Sequence, residues 1–150
     1  MSENNYQQHV VTKLKKDYYM QTNHISLVSV KPDYAKLSME VTDVSLNGFG
    51  CVHGGVLFGL ADTAAGAAAF TDGRHYVTQS GNFHFIGNVA SGVVFAEGNV
   101  VHRGKTITVV EVKVFSEEGK LLGNGTYGMF SVNKPFWNIQ KNQETTGQSE

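Results

Sequence analysis

Cysteine and proline are almost missing from this chain of 150 residues: it has one of the first and two of the second. A lone Cys51 excludes an internal disulfide framework and fits a reducing compartment. Charge of one sign is missing too. Twelve Lys+Arg against 13 Asp+Glu leave a formal net charge of −1, whereas nucleic-acid binders carry a basic footprint. Long apolar runs are also lacking. The most apolar stretch, Val56 to Phe70, is short for a bilayer span and carries Asp62. Met1 to Gln8 is polar, without the apolar run of a signal peptide. The six histidines (9, 24, 53, 75, 84 and 102) show no ligand spacing. The expectation is a soluble, cytoplasmic protein that takes no metal and no cofactor, and that binds neither nucleic acid nor membrane.

What the chain does have is glycine, 17 of them, set between and inside apolar runs. That pattern suits a β-rich fold with tight turns and close backbone approaches. Asn5 to Tyr19 is expected to form one short amphipathic helix, with Val10, Val11, Leu14 and Tyr18 at helical spacing. Ile25 to Val30 and Ala35 to Thr42 are expected as an antiparallel hairpin turning at Pro32-Asp33. In the second of these strands Ala35, Leu37, Met39 and Val41 alternate with Lys36, Ser38, Glu40 and Thr42. Val56 to Phe70 is apolar nearly all round and is expected as a buried helix. Four further strands are expected over Tyr76–Phe85, Val93–His102, Thr106–Ser116 and Leu121–Val132, as an antiparallel meander. The whole is an α+β layout, a sheet around one central helix, in a single domain over 1–134. Residues 135–150 lose periodicity and are expected to be a partly disordered tail.

Two features carry chemistry. Asp62 is the one charged side chain between Asp43 and Asp72, and it lies in the apolar helix. A carboxylate there costs stability unless it is paired or used; a structural role, bonded to a hydroxyl or to a distant cation, is the alternative. The second feature is His53-Gly54-Gly55 at the start of the same helix. The first N–H groups of a helix lack intrahelical partners, and glycine leaves a ligand room to approach them. Such a terminus can hold the oxyanion that forms when a carbonyl is attacked. Gly54 and Asp62 stand eight residues apart, roughly 12 Å at about 1.5 Å per residue. One chain therefore cannot present both to one carbonyl, and a two-fold dimer with two sites is expected.

The pattern Asn47-x5-His53-Gly54-Gly55-x4-Leu60-Ala61-Asp62 resembles that of the PaaI-type hotdog thioesterases. The resemblance extends in element order from Ile25 to Val132. It implies a hotdog fold, a dimer with the site across its interface that pairs into a tetramer, and hydrolysis of an acyl-CoA thioester. It makes Asp62 the nucleophile or the general base for water, and Gly54 the donor to the thioester oxygen. Asn47 and His53 would shape the site, and Thr78 would help hold the water. Gly55 and Phe83 would contact substrate, with Phe83 one of several phenylalanines able to build an aromatic acyl pocket. Arg103 and Lys105 would lie near the CoA phosphates. The segment Gln79 to Asn88 departs from many relatives in lacking an acidic residue near 80 and a proline near 88.

Other readings are weaker. Arg103-Gly104-Lys105-Thr106 is no phosphate-binding loop, because five residues separate Gly98 from Gly104 where four are required. A dehydratase of this fold would need a histidine acid/base pair set differently. A catalytically silent dimer that binds acyl-CoA or a protein would be more stable with an apolar residue at 62. An acyl carrier protein could replace CoA as the thiol.

Overall fold

A computed structural model describes residues 3–132; the expected tail over 135–150 lies outside the described residues. Two helices come first, α1 (Glu3–Leu14) and α2 (Tyr18–Thr22), followed by strands β1 (Ile25–Lys31) and β2 (Tyr34–Glu40). The central helix α3 (Gly54–Ala69) then leads to β3 (His75–Phe85), β4 (Val93–Arg103), β5 (Ile107–Ser116) and β6 (Leu121–Val132). The single N-terminal helix expected from the sequence is in fact two. Asp17 breaks it, because its carboxylate accepts from the Met20 N–H at 3.0 Å and starts a new helix.

All six strands form one antiparallel sheet in the order β1-β2-β4-β5-β6-β3. The expected meander therefore holds only for β4, β5 and β6. Strand β3 crosses to the far edge and pairs with β6, so α3 passes beneath the whole sheet between β2 and β3. Alternation in β2 buries Ala35, Leu37 and Met39 against this helix. Tyr127, Leu37, Met39, Leu57 and Leu60 are among the fully buried side chains, each contributing about 1.5–3 kcal/mol through burial.

Helix α3 sits close because its residues are small. At Gly98 of β4 an added Cβ would lie 2.8 Å from the Ala64 carbonyl oxygen, so strand and helix backbones touch there. The helical segment Gly54–Asp72 is 19 residues long with a mean hydropathy of 1.2, enough to cross a bilayer by length and composition, contrary to the sequence expectation. More than half of it is buried inside the protein, so it reads as a core helix. It ends at Gly73, which takes the left-handed conformation at φ 85°.

Candidate active site

The loop before α3 is organised by Asn47. Its side-chain oxygen accepts from the N–H groups of Phe49 at 2.9 Å and Cys51 at 3.3 Å. Its backbone N–H donates to Cys51 O at 2.8 Å. Asn47 thus shapes the loop from within. His53 follows as the N-cap of α3: its Nδ1 accepts from the Gly55 N–H at 2.9 Å. With Nδ1 accepting, the neutral ring carries its proton on Nε2. The Gly55 amide is therefore taken, while the Gly54 N–H has no acceptor among the described residues. One open donor remains at an electropositive helix end.

Two turns along α3, Asp62 is half-buried. The Thr78 hydroxyl donates to its Oδ1 at 2.6 Å, from β3, the short range of a hydrogen bond to a charged acceptor. Burial pushes the Asp62 carboxyl above the ordinary aspartate range. The Thr78 bond pulls it partly back, and Asp17 adds a further upward push. Asp62 borders a cavity of about 240 Å³ that runs along α3 past Gly66 to Phe70, walled by Leu14, Val77 and Met129. Asp17 is also at its border. A hollow of about 300 Å³ lies on the sheet's other face, among Asn82, His84, Glu111 and Lys113. None of the candidate site residues named from the sequence lines it.

Two residues expected at the substrate make other contacts within this chain. Phe83 is 8% exposed and packs edge-on to Phe58 in the core, so it does not line the Asp62 cavity. Phe85, two residues on, is the ring at the helix terminus: a Cβ on Gly54 would lie 3.3 Å from its Cε1. Arg103 has its guanidinium engaged within the fold. Its nitrogens donate to Asp33 at 2.9 Å, to Asp72 at 2.7 Å, and to the Ala69 carbonyl at 3.0 Å at the end of α3. Arg74 ties the same corner to the turn, donating to the carbonyls of Gly104 at 2.9 Å and Lys105 at 2.7 Å. The Lys105 side chain stays exposed on that turn. Asp72 gathers these partners: burial alone would raise its carboxyl, but Tyr76, Arg74 and Arg103 hold it below its usual range. Among the described residues no three His, Cys, Asp or Glu side chains converge as metal ligands would.

The thioesterase superfamily pattern matches residues 49–122, spanning the helix terminus and Asp62. The acyl-coenzyme A thioesterase PaaI of Escherichia coli is 32% identical over 97 residues, 64% of this chain and 69% of that protein. The chain belongs to the thioesterase superfamily. A solved structure of E. coli PaaI superposes with a TM-score of 0.84 over 89% of this chain and 97% of that one, at 25% identity. The sheet wrapped on α3 is thus the hotdog fold, and the protein is a thioester hydrolase. The 1,4-dihydroxy-2-naphthoyl-CoA hydrolase of Listeria monocytogenes is 35% identical over 68% of this chain and 85% of its own length. A hypothetical thioesterase of Streptococcus pneumoniae, solved with coenzyme A, is 27% identical with a TM-score of 0.69, over 72% of this chain and 88% of that one. That protein was also solved with an aspartate and, separately, a threonine changed to alanine. Those two positions are as far apart as Asp62 and Thr78, sixteen residues.

Proposed function

We propose that this protein hydrolyses acyl-CoA thioesters of small aryl or fatty acids, with Asp62 as general base. The observation that carries the reading is the half-buried Asp62, held by Thr78 at one oxygen and bordering a cavity with Leu14, Phe70, Val77 and Met129 in its wall. A carboxylate raised above its usual range takes a proton from water more readily than an ordinary aspartate. Water then attacks the thioester carbon, and the carbonyl electrons move to oxygen, where the Gly54 N–H stabilises the charge. Collapse breaks the C–S bond, its electron pair goes to sulfur, and the thiolate takes the proton from Asp62. The products are the free acid and CoA thiol. The CoA-acting relatives support the thiol, and the aromatic acyl group named for the Listeria hydrolase supports an aryl substrate.

The site is shared between two copies. Strand β3 lies at the sheet edge, with Thr78 to Asn82 exposed, so a second β3 can pair with it. Thr78 marks the position of Asp62 on β3 and Phe85 marks Gly54. The strand carries one extra residue between Thr78 and Ser80. Allowing for it, an antiparallel pair centred on Asn82 sets Thr78 opposite Phe85 of the partner subunit. Asp62 then meets Gly54 of the partner subunit, as the reaction requires. A cytoplasmic location and assembly of dimers into a tetramer belong to the same reading.

The test is release of free thiol from a panel of acyl-CoAs, with light scattering on the same sample. Hydrolysis by a dimer or tetramer is expected. A monomer that turns over thioester would sink the shared site, and binding without hydrolysis of any acyl-CoA would favour a silent binding protein.

A further inference from the structure

Helix α2 is short, yet it is firmly placed. Met20 is buried in the core, and the Tyr19 carbonyl accepts from both the backbone N–H and the side-chain amide of Asn23, at 3.0 and 3.1 Å. The Tyr19 ring consequently lies on the bare backbone of Gly59. A Cβ at 59 would fall 2.2 Å from the Tyr19 hydroxyl oxygen and 2.7 Å from Cζ. Only glycine lets the ring rest there.

Gly59 precedes Asp62 by three positions on α3, so the two share one helix face. The hydroxyl of Tyr19 therefore stands beside Asp62, on the side toward the start of the helix. The cavity leaves Asp62 in the other direction, toward Gly66 and Phe70. An acyl group seated in that cavity with its carbonyl at Asp62 must lead its sulfur out on the Tyr19 side. The hydroxyl donates to no acceptor among the described residues. Burial first, then the charges of Asp62 and Asp17, raise its pKa, which keeps its proton on oxygen at neutral pH.

We propose that Tyr19 is a leaving-group residue of this thioesterase, donating its O–H to the thioester sulfur as the C–S bond breaks. This rests on the reading of Asp62 as the base. The hydrogen bond strengthens as negative charge gathers on sulfur, so it acts in the transition state more than in the bound substrate. The proton stays on the Tyr19 oxygen; the departing thiolate takes its own from Asp62.

Tyr19→Phe removes the oxygen alone and keeps the ring on Gly59. Turnover is compared for two thioesters of one acyl group, the CoA thioester and the 4-nitrothiophenyl thioester, whose anion leaves without help. With the CoA thioester kcat should fall about tenfold, the worth of one neutral hydrogen bond, with little change in KM. With the nitrothiophenyl thioester the loss should stay below about twofold, and the melting temperature should not move. Unchanged kcat on the CoA thioester, or an equal loss on both substrates, overturns the proposal and leaves the role of Asp62 standing. Wild-type protein that hydrolyses neither substrate would instead remove the Asp62 reading, and this proposal with it.

Discussion

Thr78, on the edge strand, donates its hydroxyl to Asp62 of the central helix across 2.6 Å. The bond stabilises the charged carboxylate and opposes the upward push of burial. It also fixes which oxygen of Asp62 is occupied. Base strength and orientation at this site therefore depend on a residue from another element.

Thr78→Val keeps the shape and removes the donor. The Asp62 pKa should then rise further, so the acid limb of the kcat/KM profile should move to higher pH. Turnover at neutral pH should fall about tenfold, because the carboxylate loses its orientation toward water and that loss outweighs the gain in base strength. A pH–rate profile of the variant checks both. An unmoved acid limb would show that Thr78 does not act through Asp62.

The shared site can be tested by mixing. Gly54→Ala places a methyl 3.3 Å from the Phe85 ring, crowding the oxygen that the amide must reach, and should cost on the order of 10² in rate. Asp62→Asn should be inactive alone. Co-refolded together, the two variants form mixed dimers in which one site has both partners intact. About a quarter of wild-type activity should return. If recovery does not exceed the sum of the two variants, each chain carries its own site.

Arg103 and Lys105 flank Gly104 but should behave differently. Arg103→Ala strips Asp72, Asp33 and the end of α3 of their donor and should lower stability by about 2 kcal/mol. Lys105→Ala should leave the melting temperature alone and raise KM for CoA thioesters about two- to fivefold, the range of an exposed ion pair. Thermal melts and KM values on both variants decide it.

Much of this was legible in the sequence because it is local. Alternation placed Ala35, Leu37 and Met39 inward, and the isolated Asp62 beside a glycine-rich helix start pointed to the site. What escaped depends on distant pairings or on one irregular residue. Nothing in β3 announces that it pairs with β6 instead of β4. The extra residue after Thr78 switches which side chains face inward, from the parity of Tyr76 and Thr78 to that of Phe83 and Phe85. That switch places Phe83 in the core and Phe85 at Gly54. The resemblance puts Arg103 near the CoA phosphates, and nothing local reveals its partners Asp33 and Asp72, which are 70 and 31 residues away. The break at Asp17 had a local signal, a helix-capping residue inside an otherwise helical pattern.

Asp62 should also show in the pH dependence of stability. Its folded pKa lies above the unfolded value near 3.8. The stability from its protonated form is therefore fully present below pH 3.8 and lost as pH rises through the folded pKa. Asp62→Asn should accordingly melt at or above the wild-type temperature at pH 7. The difference should close as the pH falls toward 3.8. A variant less stable than wild type at neutral pH would mark Asp62 as structural.

If the charge of Asp62 performs the hydrolysis, removing that charge alone must stop turnover and leave binding in place. Turnover of an acyl-CoA by Asp62→Asn is measured beside calorimetric binding of a non-hydrolysable acyl-CoA thioether. The amide keeps the shape of the carboxylate but cannot take a proton from water. Turnover should be abolished while binding stays within a fewfold of wild type. Wild-type turnover in Asp62→Asn would contradict the account.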